Sequence, residues 1–270
     1  MTLTTSIINP KLITLKDRDI LVEKLYEAHN QIFDGVDKDE FTKYVIDSKA
    51  HSTQIFIQKN KEQIIGYGAI HLYKFDTFEE RLAVVRMEVG FLPEYRKGNN
   101  KFHLFAISQI LQFLIQSPNR KLYFLGSLVH PSSYVALTNL SKDVWPTVEN
   151  YNVIGKFDEI IKRLSDIFEF KPVNHDNPHV VKVGWKTRET ASNTEHKQPL
   201  KSSAQFYLQQ NPNYRDGHGL ITIIPINLKI ITLASVALAQ KKQTRLIGSF
   251  LKNSRTKLLT KKQTLPKIAA

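Results

Sequence analysis

Residues 84–115 read VVRMEVGFLPEYRKGNNKFHLFAISQILQFLI. The run opens apolar, meets Pro93, passes through a basic turn, and resumes as an apolar segment without Gly or Pro. Proline cannot donate to a sheet ladder, so a strand ends just before it. Leu104, Ile107, Leu111 and Leu114 then recur at helical spacing, which predicts a helix over about 100–116 with those four on one face. Such a turn presents backbone N–H groups at a helix N-terminus, where the macrodipole favours anions. Gly98, Asn99 and Asn100 permit close backbone approach, and Arg96, Lys97 and Lys101 add positive charge. The segment reads as a phosphate-binding turn, with an ordinary charged strand-to-helix loop as the alternative.

Outward from this turn, the chain alternates strands and helices. Lys11–Leu15 reads as a short strand, 17–33 as a helix, and 38–47 as a second helix capped by Asp37, with Phe41 and Val45 on one face. Two strand-like runs, 54–58 and 64–75, flank a polar turn, and Gly66 and Gly68 suggest a bulge or a close backbone approach. After the central helix come a strand over 121–129, a helix capped by Ser132 or Ser133, a helix over 157–168 and a strand over 180–185. Residues 186–203 are polar and read as a loop or linker, 219–226 as a strand, and 227–240 as an apolar helix or strand. Pro225, Asn227 and Lys229 interrupt the apolar stretch 220–239, which favours burial over a membrane span. The expected architecture is α/β, a mixed and mostly antiparallel sheet flanked by helices with a C-terminal extension.

Phe91-Leu92-Pro93-Glu94-Tyr95-Arg96 and Arg96-Lys97-Gly98-Asn99-Asn100-Lys101 together resemble the central acyl-coenzyme-A motif of the GNAT superfamily of N-acyltransferases. The resemblance covers element order over roughly residues 10–150. It implies a strand that splays from its neighbour, with the backbone at Val89, Gly90 and Phe91 pairing with pantetheine amides. Residues 96–101 would then hold the pyrophosphate. The family's two glycine positions align here to Asn99 and Lys101, with Gly98 one place early. Its last motif is half present: Ala136 fits, but Ser133 stands in the family's Asn position and Leu140 in its Tyr position. The resemblance implies acetyl-CoA or a longer acyl-CoA as co-substrate, no metal, and an amine-bearing small molecule, peptide or protein as acceptor.

Acyl transfer to an amine needs a deprotonated amine, an oxyanion stabiliser and a proton for the leaving thiolate. Glu88 lies on the motif strand, on the face opposite Met87 and Val89, and is a candidate base; a solvated carboxylate is the bland reading. His130 follows an apolar strand and is a second candidate. Tyr134 is the nearest hydroxyl to replace the absent family tyrosine, with core packing as its alternative. His71 and Tyr73 share a strand face and could line an acceptor pocket. His175 and His179 are four apart, but Pro178 breaks the helix that a metal pair needs. The polar loop 211–219, rich in Tyr, Arg, Asp and His, reads as turn chemistry or as a lid.

The formal charge of +13 is concentrated at one end. Residues 241–270 carry nine Lys/Arg and no acidic residue, leaving 29 basic and 25 acidic side chains in the first 240. A near-neutral body argues against nucleic acid as the partner. The basic tail suits an acidic acyl-carrier protein or an anionic membrane surface, and a solvated tail is the alternative. There is no cysteine, so disulfides, thiolate metal sites and a cysteine nucleophile are excluded. With no signal-peptide pattern at the N-terminus, a cytoplasmic location is expected. These readings divide the chain into an acyltransferase-like domain over 10–190, an extension over 191–240 and a tail over 241–270. Two functions stay open, an acyl-CoA-dependent N-acyltransferase and a non-catalytic domain of the same fold that binds a ligand or partner.

Overall fold

A computed structural model describes residues 3–76, 80–96, 101–151, 156–175, 177–188 and 201–240. Two compact units divide the chain, Met1–Asn227 and Leu228–Ala270. In the second, residues 228–240 form helix α7.

The first unit is built on a seven-stranded sheet. Its strands are β1 (Leu3–Ile8), β3 (Ser52–Asn60), β4 (Gln63–Phe75), β5 (Leu82–Phe91), β6 (Lys121–Leu128), β7 (Val180–Lys182) and β9 (His218–Ile226). They lie in the order β1-β3-β4-β5-β6-β9-β7. Every pairing is antiparallel except β5 with β6. A separate two-stranded ribbon joins β2 (Phe33–Asp34) to β8 (Lys186–Thr187). The expected mixed, mostly antiparallel sheet flanked by helices is what the structure shows.

Register decides which helix covers which face. Ile55, Ile57, Tyr67 and Ala69 share one face with Tyr73, Val84, Arg86 and Glu88. Helix α1 (Leu15–Ile32) packs on it through Leu21, Val22, Leu25 and Ile32, with Phe41 and Val45 beside them. Fully burying an aliphatic side chain of this kind stabilises by about 1.5–3 kcal/mol. Thr14 caps α1 by accepting from the Asp17 N–H, and Asp37 caps α2 (Lys38–Phe41) by accepting from Glu40 N–H. Further along the same face, Ile161 and Leu164 of α5 (Lys156–Ile167) pack on Val84, Tyr123 and Leu125.

Helix α3 (Phe102–Gln116) covers the other face, and here the structure corrects the periodicity reading. Its buried residues are Phe102, Phe105, Ala106, Ile110 and Phe113, while Leu104 is 63% exposed. An almost wholly apolar helix offers several stripes, and the aromatic one wins by docking on β3 and β4. Phe56 meets Phe102 and Phe105, and a Cβ at Gly68 would lie 2.3 Å from the Phe102 ring. Gly66 and Gly68 therefore mark close approaches of side chains, of Phe91 and Phe102 respectively.

Other boundaries move as well. The first strand is Leu3–Ile8 rather than 11–15; as a mostly exposed edge strand it needs no apolar run. Residues 186–203 are not simply a linker, since β8 and the start of α6 (Ser202–Gln210) fall within them. Strand β9, assigned from sequence to an extension beyond residue 190, lies inside the sheet between β6 and β7. The tail 241–270 lies outside the described residues. Among the described residues, no helix is long and apolar enough to cross a membrane.

Candidate active site

The centre of the sheet is split. β5 and β6 run parallel and pair only from Leu82↔Lys121 to Val85↔Phe124. Past that point β6 continues beside β9, from Leu125↔Ile223 to Leu128↔Leu220, while β5 continues beside β4 as far as Phe91. The far end of β5 thus has a partner strand on one side only. Val89 is consequently 42% exposed although it sits in a middle strand.

Backbone alternation says which groups face this opening. Leu92 N–H donates to Ile65 O on β4 (2.9 Å), so the N–H and C=O of Phe91, Val89 and Met87 point the other way. The Phe91 carbonyl is already engaged, accepting from Arg96 Nε at 3.1 Å. Gly90 turns toward the α1 face, where a Cβ would lie 2.4 Å from the Phe33 ring, so its role is to admit that ring.

After β5, Pro93–Tyr95 forms a 3-10 turn. Arg96 fastens this turn, since its Nη2 also donates to the Arg188 carbonyl (3.3 Å) next to β8. The guanidinium is committed to backbone carbonyls, which makes it an anchor as well as a charge. Lys97, Gly98, Asn99 and Asn100 lie outside the described residues. Lys101 is the N-cap residue of α3; its side chain makes no capping bond, and its N–H donates to Gln58 Oε1 at 3.3 Å.

Glu88 stands where the two strands part, with its side chain 18% exposed. Its Oε1 lies 2.6 Å from His71 Nε2, and His71 Nδ1 lies 3.0 Å from Thr53 Oγ1. Thr53 pairs directly with His71, whereas Glu88 faces Ala69, so the imidazole leans along the sheet to a diagonal neighbour over a methyl group. Arg86 shares this face, its guanidinium 4.7 Å and 5.2 Å from the Phe168 and Phe170 ring centres. Burial lowers its pKa, opposed by Tyr73, Glu88 and Tyr44. Tyr73, predicted to share a face with His71, bonds to Ser48 (2.8 Å).

The other candidates separate from this cluster. Tyr134, in α4 (Pro131–Thr138), is 1% exposed and donates to the Pro146 carbonyl at 2.6 Å; burial raises its pKa strongly. That is the environment of a core residue, against the general-acid reading. His130 is the N-cap of α4, in place of the expected serine; its Nδ1 accepts from Ser132 N–H (3.1 Å), which leaves the proton of the neutral ring on Nε2. His130 lines a cavity of about 200 Å³ with Val129, Thr187, Tyr214 and Arg215, so the polar loop 211–219 does flank a hollow. His175 is exposed, while His179 packs edge-on to Trp145. Among the described residues no group of three His, Asp or Glu could hold a metal.

Sequence reasoning missed Thr53, Arg86 and Ser127. The Ser127 hydroxyl, on β6 past the split, is buried with no hydrogen-bond partner. Thr53 and Arg86 are polar residues on inward faces of apolar strands. That signal becomes readable only once the strand register is known.

No family model and no curated protein matches the chain. Solved structures with similar backbones include Arabidopsis thaliana NAA60, in complexes with acetyl-CoA and with a bisubstrate analogue. It is 12% identical, with a TM-score of 0.36, covering 84% of this chain and 99–100% of that one. An aminoglycoside acetyltransferase from an uncultured soil metagenomic sample is 13% identical, with a TM-score of 0.32 over 51% of this chain and 86% of that one. Escherichia coli ElaA is 12% identical, with a TM-score of 0.30 over 50% and 86%. Overlap at this level assigns neither activity nor substrate. The strand that leaves its neighbour at the motif, followed by a turn and helix, is nevertheless the GNAT-like arrangement that residues 87–102 imply.

Proposed function

We propose that the chain is an N-acyltransferase that moves an acyl group from acyl-CoA, or an acyl-carrier protein, to a primary amine. The observation that carries this reading is the parting of β5 from β6 past Val85, with the basic turn and α3 directly after it. A pantetheine arm carries two amides and needs an extended backbone with outward N–H and C=O groups. The Met87 and Val89 backbone supplies them, and residues 96–101 are assigned to the pyrophosphate.

In the proposed reaction the acceptor arrives as an ammonium and gives one proton to Glu88. The amine lone pair then attacks the thioester carbon directly, with no covalent enzyme intermediate. As the C–S bond breaks, the thiolate takes the second proton from the new amide nitrogen. His130 is kept as a second acid–base candidate, reached from the cavity it lines. Tyr134 is given no role because its hydroxyl is buried and engaged. A short acyl group is the default donor. A carrier protein or anionic membrane would be met by the tail 241–270.

A second reading, ligand binding without turnover, is favoured by one observation. The family tyrosine position holds Leu140, and the tyrosine nearest to it in sequence, Tyr134, has its hydroxyl buried and donating to the Pro146 carbonyl. The test is a thermal melt with acetyl-CoA and longer acyl-CoAs, followed by turnover across a panel of amines. A raised melting temperature with turnover supports the transferase. A raised temperature without turnover supports the binding domain. No shift with any acyl-CoA overturns both acyl-CoA readings.

A further inference from the structure

We infer that His71, held by Thr53, is the positioning residue that fixes Glu88 as an ionised base with one oxygen left for the acceptor. This rests on the acyltransfer reading above and deepens it by assigning a three-residue relay to the site.

Thr53 is fully buried and His71 2% exposed, so neither finds water as a substitute partner. His71 uses both ring nitrogens, Nδ1 toward Thr53 and Nε2 toward Glu88 Oε1. A carboxylate accepts, so Nε2 carries the proton, and Nδ1 of the neutral ring then accepts from the threonine hydroxyl. The carboxylate thereby sets the tautomer, and the threonine hydroxyl, which can donate or accept, holds the other side of the ring. Oε1 is occupied, and among the described residues Glu88 Oε2 has no hydrogen-bond partner. The carboxylate is thus oriented with one oxygen committed and the other open, as a base requires. When the acceptor's proton reaches Oε2, the Nε2–H stays where it is, so His71 orients and does not turn over.

The charged and titratable groups around the pair are Arg86 on β5, Tyr67 and Tyr73 on β4, and Tyr44 in the π-helical turn after α2. Of these only Arg86 is charged at neutral pH, and it balances the Glu88 carboxylate.

The experiment uses the full chain with ¹⁵N-labelled histidine, together with kinetics on the best amine from the panel. The relay predicts that the neutral His71 ring carries its proton on Nε2, facing Glu88, and that Glu88→Gln moves the Nε2 resonance. An Nδ1–H tautomer, or an Nε2 resonance unmoved in E88Q, overturns the inference even if no acceptor is found. In kinetics, His71→Leu should lower kcat about tenfold or more while the KM for acyl-CoA holds. His71→Gln, which keeps an N–H donor, should recover most of the loss. If H71L is poorly folded, H71Q and Thr53→Val carry the test: T53V, which frees one side of the ring, should lower kcat while the KM for acyl-CoA holds, and wild-type kcat in T53V contradicts the relay. Wild-type kcat in folded H71L also contradicts it. Failure of the wild-type chain to bind any acyl-CoA is a different result, and it sinks the acyltransfer reading rather than the contact.

Discussion

Val85 on β5 and Phe124 on β6 are the last residues to face each other across the middle of the sheet. Beyond them β6 goes on with β9 and β5 with β4, so the opening comes from strand divergence and not from a missing strand. The same divergence exposes Val89 and brings Glu88 to the edge of the gap.

Val89→Trp should fill the opening without entering the core. The melting temperature should stay within about 2 °C, since surface changes of this kind usually lie within about 0.5 kcal/mol. The acyl-CoA Kd, read by calorimetry, should rise about tenfold, near 1.4 kcal/mol. Unchanged affinity would remove the opening from the binding site.

Glu88→Gln keeps the size and the neighbours of the side chain but cannot accept the acceptor's proton. Steady-state kinetics should show kcat lowered about 10²–10⁴-fold, with acyl-CoA affinity unchanged. A variant as active as wild type would make Glu88 a bystander.

Arg96 reaches the carbonyls of Phe91 and Arg188 together, which needs the planar fork of a guanidinium. Arg96→Lys should therefore behave like Arg96→Ala, with acyl-CoA affinity weakened about tenfold in both. Full recovery by lysine would show that charge alone matters at this position.

His29 is fully buried, bonded through Nδ1 to the Tyr67 hydroxyl (2.8 Å) and ringed by Phe33, Phe41 and Trp185. Burial first, and nearby Arg188 second, push its pKa down to about 4. An unfolded chain binds a proton there near pH 6.5 and the folded one does not, so stability is full above that value. It is lost as pH falls from about 6.5 to 4, at up to roughly 1.4 kcal/mol per pH unit. Urea titrations at pH 7, 6 and 5 should show this slope, and His29→Phe should flatten it. An equally steep slope in the variant would place the dependence elsewhere.

Tyr134→Phe removes the hydroxyl that donates to the Pro146 carbonyl. Stability should fall by about 0.5–1.5 kcal/mol, while kcat holds. A large loss of turnover in a folded protein would restore Tyr134 as the acid that the resemblance led one to seek.

Most of the sheet was legible because strand ends carry local signals. Pro93 ends β5, Asp37 caps α2, and the apolar runs over 54–58 and 64–75 became β3 and β4. The polar edge strand Leu3–Ile8 carried no such signal, and the apolar helix α3 carried too many, so its buried face was misread. At the site, the strand face that carries Glu88 was legible from alternation along one strand. His71 was read only as a lining residue, and Thr53 not at all, because their joining to Glu88 depends on cross-strand register over three strands. For Tyr134 the structure takes the core-packing alternative, and its partner, the Pro146 carbonyl, lies outside the helix that carries it.

Amide hydrogen exchange along β5, with and without saturating acyl-CoA, tests the central claim most directly. If the pantetheine arm pairs with the free edge, exchange at Met87 and Val89 slows on binding, while Ala83 to Val85, already paired with β6, stays unchanged. Acyl-CoA that binds without protecting Met87 and Val89, or that does not bind at all, contradicts the account.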